Sequence, residues 1–405
     1  MLALLYFPLA LALGQPAAEK GVGPHFRVVT VAGPIPGATV TGVDKFRLDV
    51  RSDKTRSLGA EEWIELRQSD LPLPAMPAAP FVILSGGDRL PIARPTDVRL
   101  DDERFRFAPA ASIVPATGTE MTIPQAGLAA VCFTLPTGVD DFDRIPPAAK
   151  GDVVVLRNGD RLQGSLKRLT AGAVTLTQGE KSTTIPFERL AAILFDPELQ
   201  ARTRPRTLFV QAVLVGGARL QLKTLSLDAG GQLAGALPVG GSVRFPLVRV
   251  VDLQVRNGAA VYLDELKPAS VEATPFLDTS WPSPSARGRT LLGDPLKLGG
   301  DVYDSGFAAH SRTRIRYALD GKFQSFEAIV GVDPKAGTRA AVRIGVEVDG
   351  KAAVSQACKA GDPPHPIRVD VSGAKALTLV TDFGPLGDVQ GHAIWAEPRL
   401  VRAPR

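Results

Sequence analysis

The sequence predicts an all-β protein in which tandem small β-barrel repeats precede a C-terminal antiparallel β-sandwich of jelly-roll-like form. One basis is composition: the 405 residues include 40 glycines and 34 prolines but only 6% aromatic residues, which favours turn-rich β structure over helices. The second basis is a hairpin pattern that recurs along the first two-thirds of the chain, and the third is a series of alternating apolar and polar runs near the C-terminus. Because single cores stop growing at about 250–300 residues, several domains are expected.

An apolar run opens the chain. Residues 2–13 read LALLYFPLALAL and are followed by Gly14, and a short apolar region before a small-residue cleavage site is typical of a secretory signal peptide. The run is too short for a spanning helix, which needs about 20 apolar residues, and Pro8 would break it. We therefore expect a signal peptide over residues 1–18 and a secreted or periplasmic protein without a transmembrane anchor.

A short hairpin motif occurs twice and, more loosely, a third time. The copies are Gly87-Asp88-Arg89-Leu90, Gly159-Asp160-Arg161-Leu162 and Gly217-Ala218-Arg219-Leu220. Each copy leads to an Ile-Pro or Phe-Pro pair, at Pro124, Pro186 and Pro246, and then to a short apolar segment. The glycine supplies the positive φ of a tight hairpin turn, and the Asp-Arg pairs are interpreted as ordinary hairpin residues. Units of about 45–55 residues with roughly five short strands resemble small Src-homology-3-like or Sm-like barrels.

These patterns divide the chain into predicted domains. Small barrels are predicted over residues 78–135, 150–198, 205–257 and, in degenerate form, 24–70. The sandwich is predicted over residues 275–403 and is joined to the repeats by a Pro-rich stretch. Clusters of Pro and Ser of this kind are typical of linkers.

Alternating runs between residues 295 and 400 predict the strands of the sandwich. In residues 342–348 the valines and the isoleucine point one way, whereas Arg343 and Glu347 point the other, as in a half-buried strand. The Asp349-Gly350 pair that follows is a hairpin-turn signal.

The same segment contains an ordered set of short motifs. They are Gly306-Phe307-Ala308-Ala309-His310-Ser311, Tyr317-Ala318-Leu319, Val330-Gly331-Val332-Asp333, Val369-Asp370-Val371-Ser372-Gly373 and His392-Ala393-Ile394-Trp395. In this order and spacing they resemble the NPCBM family, a carbohydrate-binding module found beside family 98 glycoside hydrolases. The resemblance implies a sandwich that binds a carbohydrate or glycoconjugate. Family members usually carry an acidic residue immediately before the last histidine, where this chain has Gly391.

Six side chains of this segment form the candidate carbohydrate site. Carbohydrate modules lay the apolar face of a sugar on an aromatic ring while polar side chains bond its hydroxyls. The candidates are His310, Tyr303, Phe307, Trp395, His392 and Arg399. Core packing is the alternative for each ring, because a buried tryptophan is common in a sandwich.

The sequence shows no catalytic or cofactor-binding pattern. The four histidines have no metal-ligand spacing, and Cys132 and Cys358 lack a Cys-x-x-Cys partner. We therefore expect no enzyme and no cofactor. Calcium is the one metal left open, because loop carboxylates that suit it also serve as turn residues. Those carboxylates are Asp301, Asp304, Asp382 and Asp388.

The charge of the chain is mildly basic, with a formal net charge of +5 and a pI of about 9.2. The basic residues are scattered singly and do not alternate with aromatic residues, so nucleic acid is not an expected partner. Two functions stay open. One is a non-catalytic carbohydrate-binding protein, and the other is an envelope scaffold that binds other proteins through its barrels and sandwich.

Overall fold

The computed structural model describes residues 23–110, 113–115, 120–201, 203–276 and 284–403. Its regular elements are antiparallel strands and single-turn 3-10 helices, which confirms the all-β prediction. The 3-10 helices are Pro95–Asp97, Gln125–Gly127, Phe142–Arg144, Phe187–Arg189, Leu247–Arg249 and Leu263–Glu265. Within these ranges no helix has the length and apolar character needed to span a bilayer. The predicted signal peptide lies outside the described residues.

Four similar groups of strands follow one another in the first part of the chain. The first group comprises β1 (Phe26–Thr30), β2 (Gly33–Asp44), β3 (Arg47–Arg51), β4 (Thr55–Leu58) and β5 (Trp63–Gln68). The second comprises β6 (Phe81–Leu84), β7 (Arg89–Pro91), β8 (Arg99–Asp101), β9 (Arg104–Phe107), β10 (Val114–Pro115), β11 (Met121–Pro124) and β12 (Leu128–Cys132). The third comprises β13 (Asp152–Leu156), β14 (Arg161–Leu169), β15 (Ala173–Gln178), β16 (Lys181–Pro186) and β17 (Leu190–Leu194). The fourth comprises β18 (Phe209–Leu214), β19 (Arg219–Leu222), β20 (Ser226–Leu227), β21 (Gln232–Ala236), β22 (Ser242–Pro246) and β23 (Val250–Arg256).

The hairpin glycines adopt the conformation that the sequence motif predicts. Gly87, Gly159 and Gly217 have φ angles of 98°, 92° and 91°, a region in which a Cβ would be strained. The same backbone hydrogen bond closes all three turns. These bonds are Leu84 N–H to Asp88 O (2.9 Å), Leu156 N–H to Asp160 O (2.8 Å) and Leu214 N–H to Ala218 O (3.0 Å). The turn therefore depends on its glycine and backbone, because alanine replaces the aspartate in the last copy without loss of the hydrogen bond.

The four groups share one continuous sheet. In each group the last strand returns to pair with the first, and pairs β5–β23, β19–β7 and β12–β17 join one group to another. No pairing among the described strands closes a barrel, so the predicted small barrels are open units of a larger sheet. The physical reason is burial: β17 and β23 are buried at every position, and such strands are stable as internal strands with a neighbour on each side.

Two further sheets form the C-terminal sandwich. Its strands are β24 (Ala260–Tyr262), β25 (Ser270–Ala273), β26 (Ser285–Arg287), β27 (Leu296–Leu298), β28 (Asp301–Tyr303), β29 (Gly306–His310), β30 (Thr313–Ala318), β31 (Phe323–Val332), β32 (Ala341–Val348), β33 (Lys351–Lys359), β34 (His365–Asp370), β35 (Ala376–Phe383) and β36 (His392–Arg402). One sheet runs β26-β29-β36-β31-β34 with β24 also on β36, the other runs β25-β30-β35-β32-β33, and β27 and β28 form a separate hairpin. Phe326, Ile344 and Leu379 belong to the buried core of this sandwich. The start of the sandwich domain at residue 275 remains a prediction. Strands β24 and β25 lie before residue 275 and pair with the sandwich strands β36 and β30.

The repeats and the sandwich are in direct contact. Leu73 and Val213 of the repeat region share one buried cluster with Leu296, Tyr303 and Ile394 of the sandwich. We call this contact region the junction. It also contains buried charged side chains, among them Glu65 and Arg399.

Candidate functional site

Two histidines meet at one end of the sandwich. Strand β29 ends at His310 and β36 begins at His392, and these residues are direct partners in the sheet. Their ring centroids are 5.2 Å apart. The Nδ1 of His310 is in hydrogen-bond contact with the carbonyl oxygen of Ser311, and because a carbonyl can only accept, Nδ1 carries the proton. The fold therefore places the two histidines that the motifs selected next to each other.

Burial keeps both histidines neutral at pH 7. It lowers the pKa of His310, which Asp388 partly opposes. It also lowers the pKa of His392, and the neighbouring His310 lowers it further, against the effect of Asp333. The pair can then donate and accept hydrogen bonds as neutral imidazoles.

Acid is expected to remove the stability that the neutral pair contributes. Unfolded histidines have a pKa of about 6.5 and the pKa values of the folded pair are lower, so the unfolded chain binds more protons as the pH falls through that value. We expect the wild-type free energy of unfolding to fall more between about pH 7 and pH 5 than that of a His310→Gln/His392→Gln variant. Denaturant unfolding at a series of pH values measures this difference. Identical pH dependence of the two proteins would contradict it.

The recess beside His310 is too small for a sugar. Thr274, Pro284, His310 and Thr313 contribute to its walls, and its volume is about 20 Å³. A cavity needs roughly 10–15 Å³ to hold one water molecule. The recess thus has room for a water molecule and none for a pyranose ring.

The other four predicted residues are also buried. Trp395 and Phe307 stack in the sandwich core with ring centroids 6.0 Å apart, and the Trp395 Nε1–H donates to Thr381 Oγ1 at 3.1 Å. Tyr303 and Arg399 lie at the junction. The exposed fraction of all six candidates is between 0% and 6%. None of them offers an exposed ring, because β29 and β36, which carry five of the six residues, are buried on both faces.

Gly391, the position at which this chain departs from the family pattern, is tightly enclosed. A Cβ placed there would lie 2.0 Å from Ser311 Oγ and 3.0 Å from Ser311 Cβ. The side chain of Ser311, which is 3% exposed, therefore occupies the space that an acidic side chain would need. At Gly391, where family members usually have an acidic residue, this chain thus has no room for a longer side chain.

An exposed aromatic ring lies on the neighbouring loops. Phe276 is 56% exposed, and its ring rests on Gly387, where an added Cβ would lie 3.1 Å from three ring atoms. The Phe383 ring supports it edge-on at 5.2 Å. Leu386 and Val389 of the same loop are 52% and 42% exposed. We call these five residues the loop-end platform.

Polar residues border the loop-end platform along the chain, and Arg312 is next to it through the backbone hydrogen bond from Thr274 N–H to Arg312 O at 2.9 Å. The Nε of Arg312 is 3.5 Å from the Oδ1 of Asp382, and these side chains are 41% and 33% exposed. Asp382 directly precedes Phe383, and Asp388 lies between Gly387 and Val389. An apolar ring with hydrogen-bond donors and acceptors beside it is the arrangement that carbohydrate sites use.

Sequence reasoning missed Phe276, although a signal was present. The residue is a lone phenylalanine in a segment otherwise rich in Pro, Ser, Thr and Asp. A turn-rich segment places its few apolar side chains on the surface or on a neighbouring element. An aromatic residue in such a segment was therefore a better stacking candidate than one in a strand.

The loop carboxylates considered for calcium do not converge. Asp301 receives a hydrogen bond from Arg67 Nη2 at 2.8 Å, and Asp304 pairs with Arg219 through bonds of 2.7 and 3.1 Å. In the described parts of the chain no three His, Cys, Asp or Glu side chains are grouped to hold a metal. Asp301 and Asp304 thus bind arginines of the repeat region across the junction.

Comparison with known families identifies the C-terminal part. Residues 259–401 match the NPCBM/NEW2 domain, which confirms the resemblance found in the sequence. A curated protein of Renibacterium salmoninarum, "Putative endo-alpha-N-acetylgalactosaminidase", is 29% identical over 119 residues. That match covers 29% of this chain and 8% of the relative, so the chain spans a small part of the relative's length.

Solved structures of carbohydrate modules are also similar. The CBM51 module of Clostridium perfringens GH95, solved with methyl-galactose, is 24% identical with a TM-score of 0.32, and the match covers 35% of this chain and 99% of that chain. The tandem CBM51 modules of Sp3GH98, the family 98 glycoside hydrolase from Streptococcus pneumoniae SP3-BS71, are 11% identical with a TM-score of 0.31, and the match covers 87% of each chain.

Proposed function

Since residues 259–401 form an NPCBM/NEW2 domain, we propose that this protein is a non-catalytic carbohydrate-binding protein that holds a sugar on the loop-end platform. The observation that carries the proposal is the ring of Phe276, which contacts Gly387 and belongs to a residue that is 56% exposed. The proposal includes export, on the basis of the apolar N-terminal run. No observation favours the alternative of an envelope scaffold.

The Phe276 ring and the polar residues that border it contribute to sugar binding in different ways. Apolar C–H groups of a pyranose stack on Phe276, and burial of that area is the favourable term. The hydroxyls exchange water for Arg312 and Asp382 at a small net gain, because both partners are hydrated before binding. The polar border thus selects the orientation of the sugar, and the ring supplies the affinity.

The expected affinity is low for a single sugar. The platform is open, so few ligand atoms become buried, and a ligand efficiency of roughly 0.3–0.5 kcal/mol per atom gives dissociation constants from millimolar to high micromolar. Glycoconjugates that present several copies of the sugar would bind more tightly through multivalency.

Replacement of Phe276 by alanine is expected to weaken glycan binding by roughly tenfold or more, because about 1.5–3 kcal/mol of apolar burial is lost. The full-length protein would first be screened on a glycan array, and the best glycan measured by calorimetry. Leu199→Ala, a truncation of a side chain that is 69% exposed elsewhere, is the matched control and should bind as the wild type does.

A second variant keeps the ring but displaces it. Gly387→Ala introduces a Cβ that contacts the Phe276 ring at 3.1 Å, at a φ of +70°, and we expect it to weaken binding as well. Unchanged affinity of a folded Phe276→Ala variant would exclude the loop-end platform as the site. Absence of binding across the array, together with capture of envelope proteins by the full chain, would replace the carbohydrate function by the scaffold function.

A further inference from the structure

A cleft opens between the two parts of the chain, and we call it the junction cleft. Arg27, Val29 and Glu65, on β1 and β5, line it from the repeat region. Residues 327–329 and 366–368, on β31 and β34, line it from the sandwich. Its volume is about 340 Å³, which lies within the roughly 300–1,000 Å³ of pockets for small ligands. The junction cleft therefore has room for a small molecule.

Five charged side chains form a continuous chain of ion pairs along this cleft. At its centre, Arg399 Nη1 is 2.7 Å from Glu65 Oε2, and Arg399 Nε is 3.0 Å from Glu327 Oε2. The second oxygen of Glu65 is 3.4 Å from Arg27 Nη2. The second oxygen of Glu327 is likewise 3.4 Å from Arg368 Nη1. Positive and negative charges thus alternate, and an arginine lies at each end.

The two end arginines are accessible and only loosely held. Their contacts of 3.4 Å exceed the length of a strong charge-assisted hydrogen bond, which is about 2.7–2.9 Å. The side chains of Arg27 and Arg368 are 48% and 45% exposed, whereas that of Arg399 is 8% exposed. A guanidinium group carries several N–H donors in a fixed fork. Each end arginine therefore has donors beyond the one that its ion pair uses.

The junction cleft carries an excess of positive charge. Three arginines share two glutamates in the chain of ion pairs. The neighbouring Arg67 does not change this balance, because it is paired with Asp301 at 2.8 Å. Glu397 also lines the cleft, but burial raises the pKa of this carboxyl to about 7, so it carries only part of a charge at pH 7. One anionic group in the cleft would compensate the excess.

The shape and surface of the cleft narrow the choice of anion. Arg368 reaches from β34 toward the start of β2, where its Nη1 lies 3.8 Å from the position of a Cβ at Gly33. Val29, Ile329 and Pro366 add apolar surface to the walls. A guanidinium fork binds carboxylate and phosphate equally well by geometry. A phosphate monoester carries about −1.5 to −2 charges at pH 7 and would overcompensate the excess, whereas a carboxylate carries one.

We propose that the junction cleft binds a small monocarboxylate, whose oxygens accept hydrogen bonds from Arg27 and Arg368 and whose body contacts the apolar part of the walls. An acidic sugar and a simple organic acid share this chemistry, and the probes below distinguish them. The site shares no residue with the loop-end platform. It therefore goes beyond the proposed function, and failure of either proposal leaves the other standing.

The test uses the full-length chain with Phe276→Ala, so that the loop-end platform does not contribute to binding. Glucuronate and benzoate are titrated by calorimetry as carboxylates, and glucose and benzamide as their neutral counterparts. We expect a carboxylate to bind at least tenfold more tightly than its neutral counterpart, and to bind more weakly as salt is added. Binding of glucuronate alone identifies an acidic sugar as the ligand, and binding of benzoate alone identifies a simple organic acid.

Variants of the end arginines locate the bound carboxylate. Arg27→Gln and Arg368→Gln should each weaken binding by roughly tenfold, the factor that corresponds to one lost hydrogen bond to a charged group. Both variants should fold, because Arg399 still contacts both glutamates. Arg343→Gln removes the same charge from an exposed position on β32, in the other sheet of the sandwich. It is the matched control and should leave the affinity unchanged.

A mapping experiment decides the matter should either variant fail to fold. Hydrogen–deuterium exchange of the Phe276→Ala protein is then compared with and without the carboxylate, which must protect residues 27–29 and 367–368. The proposal is overturned if neither carboxylate binds, or if the neutral counterparts bind equally well. It is also overturned if Arg27→Gln or Arg368→Gln binds no more weakly than Arg343→Gln, or if these two segments are not protected.

Discussion

Replacement of Arg399 by alanine is expected to destabilise the protein by about 3–5 kcal/mol, because it leaves buried carboxylates without their counter-charge. Arg399 Nη1 is 2.7 Å from Glu65 Oε2, and its Nε is 3.0 Å from Glu327 Oε2. Burial alone would raise the pKa of Glu65, but Arg399 and Arg27 hold it below its ordinary value. Without Arg399 that carboxylate must either lose its charge or stay buried with little compensation. Denaturant unfolding monitored by circular dichroism measures the loss.

Two companion variants test this explanation. Arg402→Ala removes an exposed arginine from the end of the same strand and should change stability by no more than about 0.5 kcal/mol. Combining Glu65→Gln with Arg399→Ala should restore part of the lost stability, since one of the buried carboxylates without a counter-charge is then absent. A fully additive effect of the two substitutions would show that the Glu65–Arg399 pair is not the cause.

The pair also explains how the two parts of the chain act on each other. Glu65 lies on β5 of the repeat region, and Arg399 lies on β36 of the sandwich. A second polar link is the hydrogen bond from Gln254 Nε2 to Glu397 Oε1 at 2.7 Å. Burial raises the pKa of Glu397 to about 7, with a further contribution from Glu65. Fixing these groups in place requires both parts to be folded, so we infer that they stabilise one another.

The local structure of the repeats could be predicted from the sequence because each turn depends on residues next to one another. A glycine such as Gly159, with an arginine two residues and a leucine three residues after it, specifies a hairpin through backbone conformation alone. The joining of the groups into one sheet could not be predicted in this way. It depends on pairs such as Ala130 with Leu194, which are distant in sequence and carry no local signal.

None of the six predicted site residues belongs to the loop-end platform, and the reason lies in strand geometry. The motifs located the His310–His392 pair, which lies where β29 ends and its neighbour β36 begins. They also selected Trp395 and Arg399, whose strand has no exposed position before Arg402. The pattern of apolar and polar residues in the sequence does not indicate that both faces of this strand are covered. The composition of its segment was a signal for Phe276, but the contacts of its ring with Gly387 and Phe383 depend on the fold and could not be predicted from the sequence.

Trp395 separates the two interpretations of the aromatic residues in the sandwich. Its side chain is 0% exposed and is among the largest fully buried ones, it stacks on Phe307, and its indole N–H is satisfied by Thr381. We expect Trp395→Ala to destabilise the protein by about 3–5 kcal/mol, through lost apolar burial and the cavity that remains. Thermal and denaturant unfolding of the full-length chain measure this loss.

The conservative variant Trp395→Phe keeps most of the buried area but loses the hydrogen bond to Thr381. It should therefore be destabilised by only about 1–2 kcal/mol, and because the ring does not reach the surface, its glycan affinity should equal that of the wild type. The opposite pattern, a Trp395→Ala protein of wild-type stability that no longer binds glycan, would make this indole the stacking ring. Binding would then have to be reassigned from the loop-end platform to the inner face of β36, where the structure has a filled core.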